Sequence, residues 1–409
     1  MTTPRGTDFT WLEWPFFEDA HRELAREMDA WCKDNLQSID ETDVYAACKT
    51  LVAQLGDAGW LRYCVPAGPN GSLCGAYEEL DSRSLCIARE TFGRYHALAD
   101  FAFAMQGLGS GAISLDGNQH QKEAYLPAVA KGQKIAAFAL SEPEAGSDVA
   151  ALSCSATEDG DYFVLNGTKT WISNGGLADF YCLFARTDEH AGSRGISAFI
   201  VDADTPGLFV DEIIQVISPH PLATLKLVNC RVHKSALLGQ VNQGFKLAMR
   251  TLDIFRCSVA AAAIGFGKSA MELGIAHAMQ RKMFGQHLGE FQLTQAAFGD
   301  MSTALDQSSL LTYRAAWVRD VQKRTPTSET AMAKMAATES AQIVIDRVLQ
   351  MFGGKGVVQG NTIERLYRDI RALRIYEGAT EVQKLIIGRE LTKNLTVGCG
   401  PSVLPSGRS

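Results

Sequence analysis

The chain has 409 residues, of which 46% are hydrophobic and 21% are charged, as in an ordinary soluble globular protein with a full core. This composition excludes a disordered chain, a collagen repeat and a long coiled coil. The 39 Lys and Arg residues stand against 46 Asp and Glu residues, which gives a net charge of −7. A nucleic-acid partner is not expected, because a phosphate backbone must be met by clustered cations.

The ten cysteines are scattered and form no C-x-x-C pair, so we expect reduced, buried thiols and no metal site. The first residues, MTTPRGTDFTWLEW, match neither a signal peptide nor a transit peptide. The unbroken apolar runs, such as the one that begins at Val259, are too short to cross a membrane. The sequence therefore predicts a cytoplasmic protein that has no membrane partner.

Residues 1–134 are expected to form an N-terminal helical domain. Apolar residues recur three or four positions apart in FFEDAHRELAREMDAWCKDNL, ETDVYAACKTLVAQLGDAGW, SLCIARETFGRY and HQKEAYLPAVAKG. This spacing puts the apolar side chains on one face of each helix, where they can share a core.

Residues 135–240 are expected to form a middle β domain. Short β-rich runs such as FYCLFART, GISAFIVD, LFVDEI and ATLKLVNCRV are separated by turn residues. In DYFVLNGTKTWIS, the Asn166-Gly167 pair predicts a hairpin turn. The pattern indicates a small antiparallel barrel or sandwich.

Residues 241–395 are expected to form a C-terminal four-helix bundle, and residues 396–409 a flexible tail rich in Gly, Pro and Ser. Long Ala-rich helical segments begin near Phe245, Phe291 and Ser328. Helices, then strands, then helices, without βαβ alternation, exclude a doubly wound dinucleotide fold. The chain is therefore predicted to be mainly α with a central β domain.

Two segments of the middle domain interrupt apolar patterns with polar residues and glycine. The first, Phe138 to Asp148, is either a simple connection or a ligand surface formed by Ser141, Ser147 and backbone amides. The second is KTWISNGG, in which Trp171 and Ser173 fall on the same face of a strand. Trp171 is then either barrel core or a platform for a flat ligand, with Ser173 bonding the ligand edge.

Two segments of the C-terminal domain raise similar alternatives. RKMFGQHLGEFQ separates two long helices, so Arg281 either holds a phosphate or sits in a solvated turn. In RIYEGATEVQ, Thr380 and Gln383 predict a capping box at the start of the last helix. Glu377 is left on the preceding loop, where it is either an exposed surface carboxylate or a partly desolvated general base.

Taken together, SEPEAGSD, KTWISNGG, RKMFGQ, QMFGGKG and IYEGATEVQ resemble the acyl-CoA dehydrogenase family of FAD enzymes. The resemblance covers roughly residues 20–393 and has the family's layout of helical, β and four-helix-bundle domains. Each motif alone would be weak evidence, as a lone glycine-rich match always is, but five in one order are specific.

The resemblance implies an FAD site made of residues from two subunits. Phe138, Leu140 and Ser141 would contact the flavin edge, Trp171 would stack beside the ring, Ser173 would bond N5, and Ser147 would lie over the thioester. The other half of FAD would be held, largely from a neighbouring subunit, by Arg281, Phe284, Gln292, Gln350, Gly353 and Gly354; Glu381 also matches a cofactor position. A shared site implies a homo-oligomer, with a tetramer favoured over a dimer.

The same resemblance implies the reaction. Glu377 matches the catalytic base, which would remove the α-proton of an acyl-CoA while the β-hydride passes to flavin N5 and a trans-2-enoyl-CoA forms. Asp253, Phe255, Arg256, Tyr376 and Gly378 match positions near the substrate. The expected electron acceptor is an electron-transferring flavoprotein.

Several positions depart from the family pattern and bear on the substrate. The loop Ile217 to Ala223 replaces a segment that more often contains Gly and Arg, and Ala379 stands where many members have Thr. If the bulky Phe255, beside Ile254, faces the acyl tunnel, it would shorten it, so we hypothesise a short, branched or unusually substituted acyl group. The alternative substrate is an acyl group tethered to a carrier protein.

Other chemistries on this scaffold fit the sequence less well. Flavin oxidases of this type usually carry a further C-terminal domain, and related flavin monooxygenases generally lack the base that Glu377 matches. A DNA-protecting relative would need a basic surface, and a structural homologue would be expected to lose Glu377 or the flavin contacts.

Overall fold

The computed structural model describes residues 7–37 and 39–396. Their elements run from helices through a sheet to a second set of helices, which confirms the predicted mainly α fold with a central β domain. The predicted tail, apart from Thr396, and Cys399 lie outside the described residues. The nine described cysteines are free, and eight of them are buried, as expected.

Five α-helices of the described residues precede the sheet, and side-chain caps begin several of them, as at α2 and α3. The Asp43 side chain accepts from the amides of Tyr45 and Ala46, and Asp81 accepts from the amide of Ser84. The helices are α1 (Asp19–Asn35), α2 (Val44–Asp57), α3 (Ser82–Tyr95), α4 (Ala97–Asp116) and α5 (Gln119–Ala130).

Helix α4 was not among the segments singled out from the sequence, because it is apolar on nearly every side and contains several glycines. Those glycines permit close packing. A Cβ on Gly109 would lie 2.6 Å from the backbone of Ala136, and one on Gly107 would lie 2.5 Å from the ring of Phe255. The helix is therefore stabilised by its burial, which outweighs the weak helix propensity of glycine.

The middle domain is one sheet, in which seven strands follow the order β6-β7-β3-β2-β4-β5-β8. The pairings are mostly antiparallel, as predicted, but β4 pairs in parallel with β1 and, at one residue pair, with β2. The strands are β1 (Ala136–Ala139), β2 (Ser155–Asp159), β3 (Tyr162–Ser173), β4 (Phe180–Arg186), β5 (Ile196–Asp202), β6 (Leu208–Ile213), β7 (Leu222–His233) and β8 (Leu237–Leu238).

The hairpin turn predicted at Asn166-Gly167 is wrong. Strand β3 continues through both residues, and its register with β7 shifts between Leu165 and Gly167. A Cβ added to Gly167 would lie 2.7 Å from the Cα of Cys154. The turn lies earlier, at Gly160 and Asp161, where Asp159 pairs with Tyr162 and Gly160 has a φ of +60°. Gly167 therefore allows the backbone of Cys154 to come close to β3, which a residue with a side chain would prevent.

The C-terminal helices surround α6, whose central residues are almost entirely buried. Within the described residues, α6 is also the helix that would suit a membrane span by length and composition, but 67% of that apolar stretch is buried inside the fold. The helices are α6 (Gly244–Gln280), α7 (Gln292–Asp320), α8 (Thr327–Phe352), α9 (Thr362–Leu373) and α10 (Thr380–Thr396), and a small hairpin of β9 (Lys282–Met283) and β10 (Gln286–His287) joins α6 to α7.

Candidate active site

Glu377 lies on the short connection between α9 and α10, with its backbone in the left-handed region. Its φ is +52°, and that of Gly378 is +91°. The left-handed region is costly for a residue with a Cβ, so the surrounding contacts must hold Glu377 in this conformation. Glycine is required next, because a Cβ on Gly378 would lie 2.4 Å from Nε2 of the buried Gln383.

Side chains from three helices hold the carbonyl groups of this connection. Lys334 Nζ of α8 donates to the Gly378 oxygen at 2.7 Å, and Gln383 Nε2 of α10 donates to the same oxygen at 2.8 Å. Arg256 Nε of α6 lies 3.4 Å from the Glu377 carbonyl oxygen. The loop that carries the carboxylate is therefore fastened to the bundle through its backbone.

The predicted capping box at Thr380 and Gln383 is wrong. The Thr380 hydroxyl donates to Oε1 of Glu339 in α8, at 2.6 Å. The side-chain amide of Gln383 donates to the Gly378 carbonyl oxygen. The sequence has the spacing of a capping box, but both side chains form hydrogen bonds with residues outside the first turn of α10. Glu339 is held in turn by Arg374, at 2.9 and 2.8 Å.

The Glu377 carboxyl has an environment suited to a base. Its Oε2 is buried and has no hydrogen-bond partner among the described residues. Burial raises the pKa of Glu377 above its ordinary value, and the charges of Arg89, Lys334 and Arg256 oppose part of that shift. A carboxylate with an unused, desolvated oxygen can accept a proton from a neighbouring carbon acid.

The other predicted substrate residues fall into two groups. Arg256 is buried, pairs with Asp253 at 2.8 Å and lies 3.4 Å from the Glu377 carbonyl oxygen, whereas Tyr376 lines a cavity. Phe255 is 2% exposed and packs over Gly107 and Gly111 of α4. Its ring is not among the side chains that line the cavity beside Tyr376.

The predicted flavin-edge residues lie where β1 passes into the loop that follows it. Leu140 is buried, Phe138 is half-buried against Phe184 with ring centroids 4.9 Å apart, and the Ser141 carbonyl accepts from the Thr170 amide at 3.0 Å. Ser147, further along the loop, is exposed. The structure thus brings the first two motifs side by side.

A buried ion pair joins these two motifs. Lys169 Nζ lies 2.7 Å from Oε1 of Glu142 and donates to the Leu140 carbonyl at 3.0 Å. Both charged side chains are almost fully buried, and Glu142 also accepts from the amides of Ser153 and Cys154. The pair fixes the β1 loop against β3 and so sets the spacing between Ser141 and Trp171.

Trp171 presents a bare aromatic face. It is 58% exposed and has a φ of +58°, in a bulge of β3 where two residues lie opposite the single Thr224 of β7. Ser173 is partly accessible, whereas Thr170 and Ile172 are buried, which agrees with the predicted shared face of Trp171 and Ser173. An exposed Trp held in a strained backbone beside Ser173 fits the stacking of a flat ring such as a flavin.

A second group of predicted cofactor residues lies at one end of the bundle. Stacked rings of His277 and Phe352, 4.1 Å apart, show that α6 and α8 end side by side there. Phe284 is 90% exposed at the tip of the β9–β10 hairpin, with a φ of +48°. The remaining members are also exposed: Arg281, Gln292, Gln350, Gly353 and Gly354. Glu381 is exposed in the first turn of α10.

The loop Ile217 to Ala223 packs on α9 instead of lying free. The Ser218 hydroxyl donates to Asp369 at 2.7 Å, Arg368 donates to the Ile217 carbonyl at 2.9 Å, and the His220 ring lies 4.7 Å from that of Phe101. The loop therefore closes one wall of the cavity beside Tyr376.

Sequence reasoning missed three charged residues around Glu377: Lys334, Arg89 and Asp100. All are almost fully buried within helices. The only sequence signal was a charge at a position of the apolar face, such as Arg89 in SLCIARETF. Such a position is unfavourable for a charge unless a partner is present, and the partner comes from another helix.

Three family models together match almost the whole described chain. The N-terminal, middle and C-terminal domains of acyl-CoA dehydrogenases match residues 18–133, 137–230 and 242–392. The chain belongs to the acyl-CoA dehydrogenase family. It is an oxidoreductase that acts on acyl-CoA, with FAD as its cofactor, as the five sequence motifs predicted.

Curated relatives of this acyl-CoA dehydrogenase are 36–38% identical to it over the aligned residues. A 3-(aryl)acrylate reductase of Clostridium sporogenes is 36% identical over 387 residues, 92% of this chain and all of its own. The mitochondrial short-chain specific acyl-CoA dehydrogenase of Mus musculus is 38% identical over 84% of this chain and 82% of its own. Subunit CarC of the caffeyl-CoA reductase–Etf complex of Acetobacterium woodii is 38% identical over 91% and 95%.

Solved structures agree with the fold. Butyryl-CoA dehydrogenase from Megasphaera elsdenii has a TM-score of 0.85 and 30% identity over 94% of this chain and 100% of its own. The prolyl acyl carrier protein oxidase AnaB has a TM-score of 0.84 and 27% identity over 92% and 99%. A glutaryl-CoA dehydrogenase from Mycobacterium smegmatis, in complex with FADH2, has a TM-score of 0.83 and 26% identity over 92% and 96%.

Proposed function

We propose that this acyl-CoA dehydrogenase converts a short acyl-CoA to its trans-2-enoyl-CoA, with Glu377 as the base. The observation that carries the proposal is the partnerless, buried Oε2 of Glu377 on a loop fastened by Lys334 and Gln383. FAD, when bound, supplies the hydride acceptor for the substrate Cβ. The protein supplies everything else that the elimination needs.

Each residue of the site has a separate task in this proposal. Glu377 Oε2 takes the proton from the substrate Cα, and the Glu377 amide donates to the thioester oxygen, which stabilises the charge that develops there. Trp171, Ser173 and Ser141 hold the flavin ring, and Ser147 covers the thioester. Holding the acyl group between base and flavin aligns both C–H bonds, which lowers the entropic part of the barrier.

The raised pKa of Glu377 suits this task. A base whose pKa is raised accepts a proton more readily than an ordinary exposed carboxylate, because its pKa lies closer to that of the carbon acid. The charges of Arg89, Lys334 and Arg256 favour the ionised form of Glu377 and so oppose part of the shift that burial causes.

Anaerobic bleaching of the flavin with a panel of acyl-CoAs tests this function. We expect rapid reduction by short acyl-CoAs such as butyryl-CoA and slow reduction by octanoyl- and palmitoyl-CoA. Glu377→Gln should retain FAD and lose bleaching, because the amide keeps the shape of the side chain but does not accept the proton. Unchanged bleaching of Glu377→Gln would place the base elsewhere.

The FAD site is proposed to be shared between subunits, because the second group of cofactor residues lies far along the bundle from the proposed base. Arg256, next to Glu377, and the end of α6 at Gln280 are separated by 24 residues of one helix. At 1.5 Å per residue this is about 36 Å, more than one dinucleotide reaches. A homotetramer is the proposed assembly, and sedimentation equilibrium would distinguish it from a dimer.

A carrier-protein substrate is the second candidate, favoured by the similarity to a prolyl acyl carrier protein oxidase. The flavin contacts would be the same, and only the partner at the site entrance would differ. Bleaching by an acyl-carrier protein, but not by the same acyl group on CoA, would select this alternative. The proposed electron acceptor is an electron-transferring flavoprotein, and the proposed location is the cytoplasm.

A further inference from the structure

A fully buried ion pair lies between α3 and α4, close to the proposed base. Arg89 donates from Nε to Oδ1 of Asp100 at 2.9 Å and from Nη2 to Oδ2 at 2.8 Å. Its Nη1 donates to the Ser258 hydroxyl of α6 at 3.2 Å. Arg89 is 2% exposed and Asp100 3%. Such a pair adds little to the free energy of unfolding compared with apolar side chains of the same volume. Its place near the proposed base therefore suggests a role in substrate binding.

Asp100 of this pair lines a cavity that reaches Tyr376, the neighbour of Glu377 in the chain. The cavity, of about 170 Å³, is lined by Asp100 and Phe101 of α4, by His220, and by Tyr376, the residue before Glu377. Both charges of the pair act on the carboxyl of Glu377: Arg89 lowers its pKa and Asp100 raises it. An acyl group whose Cα faces Glu377 would therefore extend towards Asp100.

Apart from the Tyr376 hydroxyl, which can donate and accept, the groups that this wall offers near Asp100 are hydrogen-bond acceptors. Each Asp100 oxygen accepts one bond from Arg89 and keeps a further lone pair. His220 Nδ1 lies 2.8 Å from the Ser218 carbonyl, which can only accept, so Nδ1 carries the proton and Nε2 is an acceptor. Burial lowers the pKa of His220, which keeps the ring neutral.

The cations that line the same cavity are already engaged. Arg365 pairs with Glu41, and it lies 3.6 Å from Asp369. Arg368 pairs with Glu364 at 2.6 Å and also donates to the loop carbonyl of Ile217. A carboxylate on the acyl group would therefore meet Asp100 without a free cation to balance it.

We propose that the acyl group carries a hydrogen-bond donor, a hydroxyl or amino group, near the end away from the thioester, and that Asp100 accepts from it. The inference rests on the proposed dehydrogenase function and names its substrate class. A plain alkyl end would offer no donor to the remaining lone pairs of Asp100. Sites built to bond a polar substituent discriminate strongly against analogues that lack it.

Three CoA thioesters of nearly equal length test the proposal with the wild-type holoenzyme. These are 4-hydroxybutyryl-CoA, valeryl-CoA, which has methyl in place of hydroxyl, and succinyl-CoA, which has a carboxylate. We expect anaerobic flavin reduction, as rate over apparent Kd, to be at least about tenfold greater for the hydroxyl compound than for valeryl-CoA, and slowest for succinyl-CoA.

The results separate this inference from the function on which it rests. Equal or faster reduction by valeryl-CoA would overturn the donor requirement while supporting the dehydrogenase. Faster reduction by succinyl-CoA would overturn it as well, in favour of an anionic substrate. Reduction by none of these thioesters, nor by butyryl-CoA, would overturn both.

Two variants locate the effect at the ion pair. Asp100→Asn should reduce the preference for 4-hydroxybutyryl-CoA over valeryl-CoA by about tenfold, because the charged acceptor is lost. The double variant Arg89→Met with Asp100→Leu removes the pair together and should reverse the preference. An unchanged substrate ratio in a folded, FAD-containing variant would contradict the proposed role of Asp100.

Discussion

Lys334 Nζ donates a hydrogen bond of 2.7 Å to the carbonyl oxygen of Gly378, one residue beyond the Glu377 carboxylate. The lysine is fully buried in α8, and its charge is also close enough to lower the pKa of Glu377. One side chain thus fastens the backbone of the left-handed connection and balances the charge of the proposed base. Lys334 is therefore a positioning residue for Glu377.

Replacing Lys334 with Met should slow flavin reduction roughly 10- to 100-fold, because a hydrogen bond from a charged donor contributes roughly 1.5–3 kcal/mol. FAD should remain bound, since Lys334 contacts none of the flavin-edge residues. Stopped-flow reduction with butyryl-CoA measures the effect. The control Lys384→Met removes an exposed charge from α10 and should leave the rate within twofold.

Lys334 should also make stability depend on pH in the alkaline range. Burial lowers the pKa of Lys334 from near 10.5 to about 8. Between these values the unfolded chain binds the proton and the folded one does not, so the free energy of unfolding rises with pH. Relative to Lys334→Met, the wild type should gain up to about 3 kcal/mol from pH 8 to pH 10.5. Urea titrations that show a constant difference would refute the shift.

Glu377→Gln should unfold at a higher temperature than the wild type at pH 8. Burial raises the pKa of Glu377, so the folded state holds its proton to higher pH than the unfolded state, and stability falls as the pH rises from the ordinary value near 4.5 through the raised one. Glutamine has no such penalty. The difference in melting temperature should therefore disappear at pH 4, and a difference that persists there would have another origin.

Gly378→Ala should destabilise the protein by about 1–3 kcal/mol and abolish rapid flavin reduction. Alanine would be strained at a φ of +91°, and its Cβ would displace Gln383 from the Gly378 carbonyl. The control is Gly388→Ala in α10, where the new Cβ meets no atom within 4 Å. That change should raise the free energy of unfolding by about 0.5–1 kcal/mol.

Lys169→Met should cost about 3–5 kcal/mol, because it leaves the buried carboxylate of Glu142 unpaired. It should also weaken FAD binding, since the pair ties the β1 loop to the strand of Trp171. Chemical unfolding and flavin release measure the two effects. Lys323→Met breaks the exposed pair with Glu79 and should cost no more than about 1 kcal/mol. Similar losses in both variants would contradict the buried role of Lys169.

Local turn signals in this sequence were misleading where long-range contacts compete with them. Asn166-Gly167 has the composition of a hairpin turn, yet β3 runs through it because Gly167 allows the backbone of Cys154 to pass closely. Thr380 and Gln383 have capping-box spacing, yet Glu339 and Gly378 bind both side chains. In each case the same residue types serve a tertiary contact, which spacing along the chain does not reveal.

Substrate discrimination also depended on contacts between distant segments. From the sequence, Phe255 was expected to shorten the acyl tunnel if it faced it; in the structure its ring packs over Gly107 and Gly111 of α4. Arg89 and Asp100 lie on separate helices, and only the folded chain shows that they pair beside the proposed base. The proposed preference for an acyl group with a hydrogen-bond donor therefore depends on residues that no linear motif contains.

The sequence alone determined the order of helical and β domains, the family and the identity of the proposed base, because hydrophobic periodicity and short motifs are properties of neighbouring residues. The tertiary structure decided the left-handed conformation of Glu377, its anchoring by Lys334 and the polar wall around Asp100. These features arise from groups far apart in sequence that share one buried volume, where unpaired charge is too costly to persist.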